Sequence, residues 1–155
     1  MDGIARILEL GDVRSRLPAG SKKMLFQQLA GLAAASIGAD AATILDCLHA
    51  REKTGVTGYG AGIAIPHCRH GGLARVRGFF VRLAEPVPYG APDDVPVDLV
   101  FLLLSPTDAG ADHLKALAAV SRLLRDRDLA DKLRGARSSD ALFALMTGDE
   151  ARHAA

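Results

Sequence analysis

Apolar residues recur along the chain at two spacings, and the segments they mark alternate between helix-like and strand-like. Ile4, Ile7 and Leu8 suggest a short N-terminal helix ended by Gly11. Ser21 is placed to cap a second helix with Leu25, Leu29 and Leu32 on one face, closing at Gly38. Asp40 opens a third, which aligns Ile44, Leu45 and Leu48 and runs out near Lys53 and Gly55, so that Arg51 and Glu52 fall in its last turn. Ile63-Ala64-Ile65 reads as a short strand stopped by Pro66, which lacks a backbone donor and holds its predecessor extended. Val76 to Leu83 and Val97 to Leu104 are the clearest strands, the second apolar enough to be central and covered on both faces. The turn-rich segment 86–96 between them has room for a short edge strand around Val87. Helical spacing returns from His113 to Leu124, then in two short amphipathic stretches, Asp128 to Arg134 and Asp140 to Met146. This interleaving predicts an α/β fold with a mixed sheet, one domain over residues 1–150 and a small polar tail at 151–155.

Composition narrows the picture. Of 155 residues, 49% are apolar but only 5% aromatic, and Trp is absent, so the core must rest on Leu, Ala, Val and Ile. The formal net charge of +1 comes from dispersed charges with no basic stripe, which argues against a nucleic-acid partner. The apolar runs are far shorter than the roughly 20 residues that span a bilayer, and no basic-then-apolar leader opens the chain. A soluble, cytoplasmic protein without membrane insertion is expected, with Cys47 and Cys68 as free thiols and Cys47 packing as a small hydrophobe.

The candidate chemistry is concentrated between Arg51 and His67, where glycines stand at 55, 58, 60 and 62. A dinucleotide fingerprint needs a strand before its glycines and a helix after them, the reverse of the order here, and no Gly-Lys-Ser/Thr closes a phosphate loop. His67, Cys68 and His70 are possible metal ligands but lack a fourth member at metal-site spacing, and a Cys68–His nucleophile pair lacks hydrolase context. A neutral imidazole, however, carries a lone pair that can take a phosphoryl group. Such a site needs a cation and hydrogen-bond donors, which Arg51, His113, Thr57 and the amides of the glycine loop could supply. The chemistry alone leaves open whether Arg51 is merely a solvated helix-end charge and His113 an ordinary first-turn residue.

The run Arg-Glu-Lys-x-Gly-x-Thr-Gly-x-Gly-x-Gly-Ile-Ala-Ile-Pro-His closely resembles the active-site signature of the phosphotransferase-system EIIA domains of the fructose/mannitol/nitrogen-regulatory class. The likeness extends over Ser21-Lys22-Lys23, Pro96 to Phe101 and His113-Leu114, covering essentially residues 4 to 147. It implies a mixed sheet of about five strands flanked by helices. It also implies that His67 accepts the phosphoryl group, that His113 orients and stabilises it, that Arg51 offsets its charge, and that the loop with Thr57, Gly58, Gly60 and Gly62 receives it. The implied donor is an HPr-like phosphocarrier, with no cofactor and no metal. Ala61 departs from the amide or acidic residue common at its position. Cys68 departs from a glycine-like one, and reads as a tolerated small side chain or a redox handle. Without a fused EIIB or membrane component in the sequence, a nitrogen-regulatory type acting on target proteins such as kinases or transporters is expected. The alternatives are an EIIA subunit passing phosphate to an EIIB for sugar uptake, and a non-phosphoryl sensor or metal-binding domain.

Overall fold

The computed structural model of the chain describes residues 3–148. Its elements are α1 (Gly3–Ile7), β1 (Leu8–Leu17), α2 (Lys22–Ile37), α3 (Ala41–Glu52), β2 (Gly58–Gly60), β3 (Ile63–Ala64), β4 (His67–Arg69), β5 (Arg77–Val87), β6 (Val97–Ser105), α4 (Ala111–Leu124), α5 (Arg127–Gly135) and α6 (Ser139–Thr147). The expected tail, 151–155, lies outside the described residues. The expected caps form: Ser21 Oγ accepts from the Met24 amide at 3.1 Å, and Asp40 Oδ2 from that of Thr43 at 3.3 Å.

The apolar run at 97–104 becomes the central strand β6, buried along its length except at Asp98. It pairs with β5 in antiparallel fashion on one side and with β3 and then β4, both parallel, on the other. The sheet order is β1-β5-β6-β3-β2, with β4 also on β6. Strand alternation divides the core into two layers. Leu99, Phe101 and Leu103 face a cluster with Ile4, Val120, Leu123, Leu133 and Met146, covered by α1, α4, α5 and α6. Val100, Leu102 and Leu104 face Leu25, Phe26, Leu29, Ile44 and Leu48 of α2 and α3. Each fully buried Leu or Phe contributes about 1.5–3 kcal/mol relative to exposure, so β6 is anchored from both faces.

The mixed sheet flanked by helices is the architecture expected, with six strands instead of about five. The segment read as the end of the first helix is instead the ten-residue strand β1, parallel to β5. Its two-residue period is hidden by a register shift between Leu8 and Val13, and its buried Asp12 is offset by Arg77 at 2.7 Å. The edge strand anticipated near Val87 is the far end of β5, beyond an irregularity between Arg82 and Val87 that accommodates Pro86.

β2 and β3 form a hairpin whose two linking residues, Ala61 and Gly62, both have positive φ, 59° and 79°. That backbone is the one tight hairpins favour, and it suits Asn-Gly better than Ala-Gly, because Cβ crowds the carbonyl in the left-handed region. The Ala61 amide donates to Asp93 Oδ2 at 2.9 Å and its carbonyl accepts from Arg134 at 2.7 Å. Residue 61 therefore shapes a turn. Ala61→Asn is expected to stabilise the fold by about 0.5–1 kcal/mol, read as a higher urea midpoint with unchanged slope; an unchanged or lower midpoint would contradict this account of the turn.

Candidate functional site

Between β3 and β4 the chain passes Ile65 and Pro66 without leaving the flank of β6. The Leu103 amide donates to the Pro66 carbonyl at 3.0 Å, and His67 then pairs with Leu103. The break leaves the Ile65 carbonyl outside the ladder, where His67 Nδ1 lies 2.7 Å from it. A carbonyl only accepts, so Nδ1 carries the ring proton and Nε2 presents its lone pair. Arg51, in the last turn of α3, donates from Nε to that Nε2 at 3.2 Å. The guanidinium is steadied from its other side by Thr54 Oγ1 and the Gly55 carbonyl, each at 2.9 Å.

His113 approaches from the first turn of α4, its ring centre 5.5 Å from that of His67 and inclined by 51°. It is buried, and its Nδ1 is hydrogen-bonded at 2.6 Å to the hydroxyl of the fully buried Ser105, the last residue of β6. The three residues expected to form one site thus converge, although they come from three different elements. β4 has β6 on one side and, among the described residues, no strand on the other. At this open edge the α2–α3 layer supplies Arg51 and the opposite layer supplies His113.

Burial is the main cause holding the His67 ring below its ordinary pKa, with Arg51 acting in the same sense and the Ile65 carbonyl and Glu52 opposing. His113 is lowered too, first by burial and then by Arg69, His67 and Arg51. Both rings are therefore held towards the neutral form that a nitrogen nucleophile requires.

Thr57 and the glycines, the expected phosphoryl cradle, make contacts of their own that hold the end of α3. The buried Thr57 hydroxyl donates to Glu52 Oε1 at 2.7 Å and accepts from Tyr89, also at 2.7 Å, while its amide donates to Glu52 Oε2 at 2.9 Å. Lys22 completes the cluster with Nζ 2.9 Å from Glu52 Oε2 and 4.2 Å from the centre of the Tyr89 ring. Gly58 is required beside it, because a Cβ there would lie 2.8 Å from that ring. Gly60 and Gly62 build the hairpin tip beside Asp93, Asp98 and Arg134. β6 pairs with Ile63 at Leu99 and with His67 at Leu103, and those four steps of strand separate the tip from His67 by about 13 Å. The loop thus clamps the end of α3 to β2 and supports Arg51.

Alternation along β4 also decides the metal-ligand reading. His67 and Arg69 share one face, whereas Cys68 points into the α2–α3 layer, so His67, Cys68 and His70 do not converge. Burial raises the Cys68 thiol well above its ordinary value, which removes it as a ready nucleophile. Sequence reasoning missed Ser105, Glu52, Tyr89 and Arg69 as contributors. Arg69 was within reach of it, standing two residues after His67 on a strand, and Ser105 is the first polar residue after the apolar run.

Comparison with known proteins defines the class. The chain belongs to the EIIA 2 family of the phosphoenolpyruvate-dependent sugar phosphotransferase system, whose family model matches residues 6–148. Within it, the chain is 47% identical over 130 residues to a nitrogen regulatory protein of Bradyrhizobium diazoefficiens, covering 84% of this chain and 85% of that one. The crystal structure of the nitrogen regulatory protein IIA-Ntr from Neisseria meningitidis superposes with a TM-score of 0.87 at 38% identity, covering 93% of this chain and 99% of that one. The Escherichia coli mannitol IIA, solved in complex with phosphorylated IIB, has a TM-score of 0.74 at 18% identity over 90% of this chain and 98% of that one, a likeness of fold alone. No helix among the described residues is long and apolar enough to cross a membrane.

The lowered histidines give the fold a pH dependence of known sign. Below the ordinary value of 6.5 the unfolded chain binds protons that the folded rings still exclude, so stability is complete above 6.5 and falls as the pH drops through the folded values. His67→Gln is expected to flatten part of that decline in urea titrations between pH 7.5 and about 5; a slope equal to the parent's would show that the ring is not held neutral.

Proposed function

We propose that this protein is a phosphocarrier that accepts a phosphoryl group on His67 Nε2 from the phosphohistidine of an HPr-like carrier, and whose phosphorylation state regulates target proteins. The observation that carries the reading is the pinning of His67 Nδ1 to the Ile65 carbonyl, which leaves one nitrogen, Nε2, directed at Arg51. The Nε2 lone pair forms the new N–P bond as the donor's N–P bond breaks, and that bond's electron pair returns to the donor imidazole. Nδ1 keeps its proton throughout.

Arg51 Nε then loses its acceptor lone pair and turns to the phosphoryl oxygens. His113, whose Nε2 has no hydrogen-bond partner among the described residues, stabilises the same oxygens as a donor. Arg69, exposed on the same face of β4, adds positive charge at the rim. Phosphorylation adds about 1.5–2 negative charges and several acceptor oxygens at an exposed sheet edge, which alters the proteins that can dock there. The identity to nitrogen regulatory proteins favours this output. The mannitol IIA–IIB complex supports a second use of the same chemistry, in which His67 passes its phosphoryl group to an EIIB. The role is cytoplasmic, because phosphoenolpyruvate and the carrier proteins are found there.

The test is incubation with phosphoenolpyruvate, enzyme I and an HPr-like carrier, followed by intact mass measurement. The parent is expected to gain one acid-labile phosphoryl group and His67→Ala none. Arg51→Ala and His113→Ala should still label, but about a hundredfold more slowly. An unlabelled parent beside a labelled control EIIA, or a labelled His67→Ala, would overturn the reading.

A further inference from the structure

The two cysteines, far apart in sequence, meet in one apolar layer behind the candidate site, where Cys47 reaches the residue next to Cys68. Cys68 packs in the α2–α3 layer at 6% exposure, and Cys47 on α3 packs against the same cluster. Cys47 is half-buried and donates to the carbonyl of Arg69, the residue after Cys68, at 3.0 Å, on the unpaired edge of β4. Both thiols are free. Their positions tie them to the site on two sides. Cys68 directly follows His67, and Cys47 lies one helical turn before Arg51 on the same helix.

We infer that Cys47 and Cys68 form a reversible disulfide whose closure joins α3 to β4 and shifts Arg51 relative to His67. A glutathione-type disulfide is the oxidant. The more accessible Cys47, as thiolate, attacks one sulfur of oxidised glutathione and releases one glutathione thiolate, leaving a mixed disulfide. Cys68 gives up its proton to solvent and attacks Cys47 Sγ, forming the intrachain bond and releasing the second glutathione. Two protein thiols are oxidised and one glutathione disulfide is reduced. Burial disfavours the Cys68 thiolate, so the second step is the slow one and the bond closes over minutes to hours at neutral pH. Closure forfeits the Cys47 bond to the Arg69 carbonyl and draws the two sulfurs to bonding distance, a movement delivered to the elements that carry Arg51 and His67. Any effect on phosphoryl transfer rests on the function proposed above, whereas the bond itself does not.

The full chain would be incubated with oxidised glutathione and read by intact mass, peptide mapping and the NMR titration of the His67 ring. The expected product has lost two hydrogens, carries a 47–68 linked peptide, shows a displaced His67 titration, and reverts with dithiothreitol. Cys47→Ser, at the half-buried position, and Cys68→Ala should each abolish the linked peptide while keeping the parent circular dichroism spectrum. Phosphorylation of the oxidised chain should be slower by about tenfold or more, the order expected for a small misplacement of a catalytic group. An unreacted chain, a lasting glutathione adduct on Cys47 or an interchain dimer would overturn the pairing. A linked peptide with an unmoved His67 titration would overturn the coupling. If the reduced chain takes no phosphoryl group, the phosphocarrier reading fails and the mass and titration results still decide this one.

Discussion

The site depends on one constraint: residues 63 to 69 run along a single flank of β6 with a break at Ile65-Pro66. A continuous strand would commit the Ile65 carbonyl to the ladder and leave His67 free to rotate and to exchange tautomers. The proline removes one donor without exposing a buried acceptor, because its own carbonyl still receives the Leu103 amide. The freed Ile65 carbonyl then fixes which imidazole nitrogen presents its lone pair. β6 is buried on both faces by large side chains, so the template for this arrangement is a closely packed central strand.

The electrostatics around His67 suit the added negative charge of the proposed phosphoryl group. Arg51 approaches it directly, Arg69 acts on the neighbouring His113, and burial holds both histidines towards neutrality. A cation beside a neutral lone pair gains little, but the same cation beside a phosphoryl dianion gains a full charge-assisted hydrogen bond. Under the proposed phosphorylation, the arrangement would favour the modified state by differential interaction. The position of Arg51 is in turn secured by Glu52, the next residue, whose carboxylate gathers Lys22 and both donors of Thr57 where α3 ends.

Much of this was legible in the sequence because the signals were local. The unbroken apolar run of β6, the caps at Ser21 and Asp40, and the proline before His67 each act within a few residues of where they are written. β1 was missed because its register slips between Leu8 and Val13, so neither spacing shows in Leu8–Leu17. The convergence of Arg51, His67 and His113 followed from resemblance, since periodicity does not say that two helix layers meet at the end of β4. The contacts of the glycine loop were not legible for a related reason. Glycine spacing reports where backbone must turn or come close, but not what it approaches, and here the neighbours are the Tyr89 ring and the Asp98–Arg134 pair.

Ala61 and Cys68, the two departures from the family pattern, separate two kinds of sequence difference. Ala61 lies on a hairpin tip about 13 Å along the sheet from His67, so its effect is confined to the energy of a turn. Cys68 adjoins His67 but points to the opposite face, into the layer against which Cys47 packs. Proximity in sequence to a functional residue thus places Cys68 behind the site, where a side chain acts on the chemistry only through the backbone it shares with His67. That shared backbone is short and paired to β6 on one side alone, so a force applied at position 68 reaches the imidazole with little of the sheet to absorb it.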